Sequence, residues 1–362
     1  MSHPLLQIVL LPVLLPLEWV YRAPVAFRLW AFGAGWFTTH HAQRPVVAVG
    51  NLSVGGTGKT PVVDWLARLA QKAGLRPVTL SRGYKSHSSG HLHRVQGASG
   101  VPVRPAWIGD EPALLAWRNP ELGVYAGRDR VMAAELAQVL DNPDLIVLDD
   151  GYQHLRLHRD LNVLLVDGQR GLEGGRVLPR GRLREPIRNI RRADVVLITK
   201  TTPQAAQALI EALQTQHGVT APIFSCDYQP KGLRRLDGEE AQPVAWLSGK
   251  PTGLLSAIAN PASFQAAITA TGAIIEKVKS YPDHYAYPQT ALEALEKEMA
   301  QQPDILWVTT EKDAVKLRGR LSHPERLWAV EMEVLPTPEA STFFEGFFQK
   351  LAEGKGKESG GA

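Results

Sequence analysis

"PVVAVGNLSVGGTGKTPVVDWLARLA", residues 45–70, constrains the fold more than any other stretch of the chain. A short apolar run stops at Gly50 and a glycine-rich turn follows. Gly58, Lys59 and Thr60 then open a segment with Val63, Leu66, Ala67 and Ala70 at helical spacing. A turn between a buried strand and a helix N-terminus presents backbone N–H groups to an anion, and the helix dipole adds partial positive charge. The pattern matches a phosphate loop, G-x-x-x-x-G-K-[ST], except that Ser53 stands where the first glycine would be. Gly50, Gly55 and Gly56 keep the turn pliant. On this reading Ser53, Val54, Gly55, Gly56, Thr57, Gly58, Lys59 and Thr60 cradle ATP. Lys59 reaches its β- and γ-phosphates and the Thr60 hydroxyl faces Mg²⁺. The competing reading is a glycine turn without a ligand.

Further apolar runs alternate with helical patterns. Residues 76–80, 144–150, 161–167 and 194–200 read as strands, and 127–140 and 201–217 as helices. Strands that are apolar throughout belong to a parallel sheet covered on both faces. "DLIVLDD" ends in Asp149 and Asp150, the place for carboxylates that serve a nucleotide-bound metal. Adjacent acids repel each other unless a cation lies near, although an Asp-Gly turn at Asp150–Gly151 is the plainer alternative. Val54 excludes the partition type of ATPase, which carries a lysine there. "ITKTT" (198–202) is only an echo of the guanine-reading N-K-x-D pattern, so a GTPase is not supported.

A second series has strands at 243–249, 273–281, 304–310 and 326–334, with helices at 261–270 and 289–301. Residues 229–242 are polar and turn-rich. The expected organisation is therefore an apolar segment (1–40), a phosphate-loop domain (41–228), a linker (229–242), a second α/β domain (243–353) and a disordered tail (354–362).

The N-terminus reads "LLQIVLLPVLLPL" from Leu5 to Leu17, without charge until Glu18, and then Trp19, Tyr21, Arg22, Arg28, Trp30 and Trp36 follow. The run is short of the roughly 20 apolar residues a spanning helix needs, and it lacks the basic start of a signal peptide. It suits a segment lying in a membrane interface, or else a buried helix. The single cysteine, Cys226, excludes a disulfide framework and a cysteine metal cluster. Net charge is +4, but seven arginines fall between Arg176 and Arg192, with Glu185 the only acid among them. Such a stretch fits phosphates or acidic lipid, or is a solvated loop. It lacks the interleaved aromatics of a nucleic-acid surface.

"GNLSVGGTGKTP", "SRGYK", "GDEP", "DDGYQH", "LPRGRLREP", "PDHYAY" and "TTEKDAVKL" occur in this order. Together they resemble the tetraacyldisaccharide 4′-kinases of lipid A biosynthesis. The resemblance implies two α/β/α domains, the first with the phosphate loop, and a membrane-associating N-terminus. It implies ATP and Mg²⁺ as cofactors and an acylated glucosamine disaccharide 1-phosphate as acceptor, at the cytoplasmic face of the bacterial inner membrane. By motif, Asp110 of "GDEP" takes the hydroxyl proton and His284 of "PDHY" is its partner. Asp149 and Asp150 are the metal-side acids, and Glu185 of "LREP" lies at the site. Arg180 and Arg182 depart from the family's common "LPAGPLRE", which leaves their role open. Without the resemblance, Asp110 could simply cap a helix over 111–118, and His284 could be an ordinary surface histidine. The domain boundary places Asp110 in the first domain and His284 in the second, so their pairing would await closure.

Overall fold

A computed structural model of the chain describes residues 4–83, 91–96 and 105–359, with side chains for 12–83, 91–95 and 105–355. Tyr84 and Lys85 of the "SRGYK" motif, and the last three residues of the tail, lie outside the described residues. In chain order the elements are α1 (Pro4–Gly33), β1 (Val46–Asn51), α2 (Lys59–Lys72), β2 (Pro77–Ser81), β3 (His93–Gln96), α3 (Pro105–Ile108), α4 (Asp110–Arg118), β4 (Gly123–Ala126), α5 (Arg130–Leu140), β5 (Leu145–Asp149), β6 (Leu161–Asp167), β7 (Val195–Thr199), α6 (Pro203–Thr215), β8 (Ile223–Arg235), β9 (Ala241–Pro243), β10 (Pro251–Ser256), α7 (Pro261–Thr269), β11 (Ile274–Ser280), α8 (Gln289–Gln301), β12 (Leu306–Thr310), α9 (Glu311–Leu317), β13 (Leu327–Pro336) and α10 (Pro338–Ser359).

These elements form two compact units, and neither is contiguous in sequence. One comprises Met1–Pro77, Arg130–Asp227 and Pro336–Ala362; the other comprises Val78–Asp129 and Tyr228–Leu335. The expected division into 41–228 and 243–353 differs from this, because the chain passes between units near residues 77, 129, 227 and 335.

In the first unit β1 lies between β5 and β6, both parallel to it; β7 extends the sheet beyond β6, and the first residues of β8 pair in parallel with β7. β1, β5, β6 and β7 are buried along their whole length, as continuous apolar runs in a parallel sheet require. Leu164, Val166, Val196 and Ile198 pack with Tyr152, Leu183, Ile190 and Leu213.

In the second unit β10 pairs in parallel with β11 and β12, and β12 with β13. β4 lies between β2, parallel, and β3, antiparallel.

Three stretches fold otherwise than expected. The supposed linker is an antiparallel hairpin of β8 and β9. It turns at Asp237–Gly238, where Gly238 takes φ +84°, and it buries Leu233 and Leu236 while its charged residues face outward. Residues 244–247 are a 3₁₀ turn rather than a strand, closed by Gly249 at φ +73°. The strand comes afterwards, at 251–256, where a Cβ on Gly253 would fall 2.8 Å from the Trp307 indole. The tail is not disordered from Gly354: α10 continues through Ser359, and Lys355 pairs with Asp144 at 2.7 Å.

Candidate active site

In-register pairing of Val49 with Asp149 sets the start of the glycine-rich turn beside the acidic end of β5. Gly58 occupies the N-cap position of α2 in the left-handed region (φ +80°), a conformation a side chain would strain. α2 therefore begins at Lys59, whose ammonium is buried. It donates to Asn51 Oδ1 at 3.2 Å and lies 3.4 Å from Asp150 Oδ1. Asp150, itself left-handed at φ +54°, also accepts from Arg184, whose Nη1 donates to both carboxylate oxygens at 3.0 and 2.9 Å. Burial pushes the Asp150 carboxyl up, but Lys59 and Arg184 outweigh it and hold the group at about 2.

The segment 182–184 braces the turn as a short strand would. Val54 N–H donates to Arg182 O at 2.8 Å, and Arg184 N–H to Leu52 O at 2.6 Å. The Arg182 guanidinium donates to Val54 O at 3.1 Å. From the other side, Thr199 Oγ1 donates to Thr57 O at 2.9 Å, and Lys200 ties Gly56 O to Asp167. Four members of the arginine stretch are thus used internally rather than offered to an anion. Arg180 pairs with Glu18 of α1 at 3.3 Å, Arg182 and Arg184 act as above, and Arg192 pairs with Glu185. The buried Glu185 carboxylate also accepts from Asn189 at 2.8 Å. Its described contacts are with these two residues, while its neighbour Arg184 makes the contact to Asp150. Arg176, Arg182, Arg188 and Arg191 are exposed, and Arg191 donates to His217 O at 3.3 Å.

The donor set fits a nucleotide with a hard cation. Thr57 Oγ1 is buried in the turn with no hydrogen-bond partner among the described residues. Thr60 and the fully buried Asp149 are oxygen donors. Among the described residues no cluster of three or more His, Cys, Asp or Glu could hold a metal by itself. That suits Mg²⁺, which commonly takes one or two protein oxygens and completes its shell with phosphate and water. Asp150 is engaged by two cations, Lys59 and Arg184.

The second unit holds the other half of the expected constellation. α4 starts at Asp110 with Gly109 (φ +96°) at the N-cap and no side-chain cap, so the Asp110 carboxylate is not used as a helix cap. Its Oδ2 lies 3.1 Å from His284 Nδ1. His284 sits in the left-handed region at φ +63° on the turn after β11, and its N–H donates to Ala257 O at 3.3 Å. Such a backbone costs energy in a residue with a side chain and is found where surroundings hold it. The pair lies inside one compact unit, contrary to the expectation that the two residues belong to different domains and meet only on closure. α4 packs on α9, which is capped by Thr310 and brings two lysines. Lys312 Nζ lies 3.2 Å from His284 Nε2 and 3.1 Å from Asp283. Lys316 Nζ lies 3.8 Å from Asp110 and 2.9 Å from the buried Asp313. Burial raises the Asp110 pKa, but the His284 hydrogen bond and the charges of Lys316 and Lys312 prevail and hold it below the ordinary value.

The profile of the tetraacyldisaccharide-1-P 4′-kinase family (LpxK) matches residues 10–350. The chain belongs to this family. A tetraacyldisaccharide 4′-kinase of Geobacter metallireducens is 39% identical over 330 residues, covering 91% of this chain and 95% of that protein. One of Geobacter sulfurreducens is 40% identical over 321 residues, covering 89% and 88%. The crystal structure of LpxK from Aquifex aeolicus in complex with ATP matches with a TM-score of 0.76 at 30% identity, over 96% of this chain and 99% of that one. All seven ordered motifs fall inside the span of the 4′-kinase profile. Sequence reasoning missed Asn51, the Thr199–Lys200 brace, Lys312 and Lys316. The lysines carried a signal, an i, i+4 pair within "TTEKDAVKL", which places both on one helix face.

Proposed function

We propose that the chain transfers the γ-phosphoryl group of ATP to the 4′-hydroxyl of a tetraacylated glucosamine disaccharide 1-phosphate, giving the bis-phosphorylated lipid A precursor. The observation that carries this reading is the family match over nearly the whole chain, with Lys59 and Thr60 in place at the head of α2. Residues 53–60 hold the triphosphate. Lys59 neutralises the β- and γ-phosphates, and Asn51 and Asp150 hold its ammonium until the nucleotide arrives. Thr60 and Asp149 would hold Mg²⁺, which supplies charge neutralisation on the phosphate oxygens. Asp150, with Arg184, sets the position of Lys59.

Asp110 takes the proton of the 4′-hydroxyl as the new O–P bond forms, and the bond from the γ-phosphorus to the β-phosphate oxygen breaks to release ADP. A carboxylate held ionised is a weak base. Phosphoryl transfer accepts one because its transition state is loose and charge builds mainly on the phosphoryl oxygens. His284 orients Asp110, and Glu185 holds the segment carrying Arg184 through Arg192 and Asn189.

α1 supports a peripheral placement on the cytoplasmic face of the inner membrane. Trp19, Val20, Phe27 and Trp30 on the helix, and Trp36 and Phe37 just after it, are exposed. Among the described residues no helix is long and apolar enough to cross a membrane. An exposed aromatic and aliphatic face of this kind suits the headgroup layer.

The test follows γ-labelled ATP with the purified chain, Mg²⁺ and the tetraacyl disaccharide 1-phosphate in mixed micelles. Label should move to the lipid in the wild type and be largely lost with Asp110→Ala. Label released only as free phosphate, whether or not lipid is present, would overturn the kinase reading.

A further inference from the structure

Asp110 Oδ2 and Lys312 Nζ flank the two ring nitrogens of His284, at 3.1 and 3.2 Å. An ionised carboxylate only accepts hydrogen bonds, and an ammonium only donates them. Nδ1 must then carry a proton to give to Asp110, and Nε2 must offer a lone pair to Lys312. One state of the ring meets both demands: neutral imidazole, protonated at Nδ1. Asp283 Oδ2 lies 3.8 Å from Nε2, while its other oxygen holds Lys312 at 3.1 Å. Lys316 stands 3.8 Å from Asp110 on the far side and is itself held by Asp313. The result is a row of alternating groups, Asp283, Lys312, His284 and Asp110, contributed by the turn after β11, by α9 and by the first residue of α4.

We infer that Lys312 is a positioning residue for phosphoryl transfer: its ammonium occupies His284 Nε2 and so fixes the Nδ1–H tautomer that orients Asp110. The inference rests on the reading of Asp110 as the base. Without Lys312 the ring can adopt the other tautomer, with the proton on Nε2 and a bare Nδ1 facing Asp110, which then loses its hydrogen bond. With Lys312 in place Nδ1–H holds the Asp110 carboxylate while it takes the proton of the acceptor hydroxyl. The strained backbone of His284 fits this role, since the turn presents both ring nitrogens to fixed partners rather than to solvent.

The test uses the full chain with ¹⁵N-labelled histidine, and the His284 signals are assigned by difference from His284→Gln. In the wild type at neutral pH, without substrate, Nδ1 should be the protonated nitrogen. In Lys312→Met the ring should mix its two neutral tautomers, because no ammonium then occupies Nε2. Lys312→Arg should restore the wild-type pattern. In parallel, kcat should fall on the order of tenfold in Lys312→Met, with KM for ATP unchanged, and should recover in Lys312→Arg. A wild-type ring protonated at Nε2, or identical ¹⁵N tautomer patterns in wild type and Lys312→Met, would overturn the inference. So would a raised KM for the lipid acceptor with an unaltered ¹⁵N pattern, since Lys312 would then touch the substrate instead. The NMR arm needs no turnover, so a failure of the kinase reading in the labelled-ATP assay is distinguishable from a failure here.

Discussion

Arg184→Met tests how the phosphate-loop lysine is held. Methionine keeps an apolar stem and removes the guanidinium nitrogen that donates to both oxygens of Asp150 at 2.9 and 3.0 Å. Asp150 then has Lys59 as its remaining recorded cation, now 3.4 Å away. The ammonium is free to close to about 2.8 Å, an ordinary charge-assisted contact. At an effective dielectric near 20, the attraction grows from roughly 4.9 to roughly 5.9 kcal/mol, about 1 kcal/mol deeper. Lys59 must give up that extra attraction to reach a phosphate, so ATP should bind about fivefold more weakly. Folding should suffer separately. Charge-assisted hydrogen bonds contribute about 1.5–3 kcal/mol. With the Arg184 and Asp150 side chains 28% and 21% exposed, solvent screening lowers the expected loss to about 1–2 kcal/mol. Calorimetric titration with ATP and urea unfolding measure the two effects independently. A variant that loses stability yet binds ATP within twofold of wild type would refute the argument, because Arg184 would then brace the fold without governing Lys59.

Other consequences are more direct. Asp110→Asn keeps the shape and removes the basicity, so kcat should fall about 10²- to 10⁴-fold while the Kd for ATP holds; steady-state kinetics with calorimetry check both. Burial raises the Asp144 carboxyl, but bonds from Arg76 and Lys355 outweigh it and bring the group to about 2. A folded pKa below the unfolded one contributes stability above the unfolded value, near 3.9, and loses it as pH falls through the folded value. Asp144→Asn should therefore cost about 1–2 kcal/mol at pH 7, a shift of nearly two units discounted for its exposed partners, and the gap from wild type in urea unfolding should narrow between pH 4 and 2. Replacing Trp19 and Trp30 by serine should weaken flotation with anionic vesicles by at least tenfold, at roughly 1–2 kcal/mol for each ring withdrawn from the interface, without altering ATP binding.

What could be read from the sequence was local. The phosphate loop, the apolar strands beside it and the acids after β5 depend on neighbours in the chain and on a sheet buried on both faces, and both leave an imprint in residue order. The β8–β9 hairpin was misread because its outer face is charged, so only Leu233 and Leu236 mark it, and its Asp-Gly turn resembles a linker. The Asp110–His284 contact spans 174 residues. No periodicity encodes such a pairing, and the resemblance supplied the two names without their setting. Assigning them to different domains assumed a chain that fills one unit before starting the next. Here residues 78–129 join the second unit between two passages through the first. α10 was hidden in a similar way, because the glycines and lysines of 354–358 suggest disorder while Lys355 is held by Asp144.

The one departure from the phosphate-loop pattern has a physical explanation in this frame. A first glycine is needed where the turn must adopt angles that a side chain resists. Ser53 instead forms an antiparallel bridge with Leu183, which calls for extended backbone that any residue can adopt. The hydrogen bonds flanking that bridge run between Val54 and Arg182 and between Leu52 and Arg184. The arginine-rich segment therefore takes over part of the shaping that glycine would otherwise provide. Its side chains continue the work, with Arg182 on the Val54 carbonyl and Arg184 on Asp150. Each contact is made by a single nitrogen of the guanidinium, a planar group that stays charged and is more weakly hydrated than an ammonium. A run of arginines that suggests an anion-binding surface from composition alone is, at these positions, the scaffold that lets a serine stand at the start of the loop.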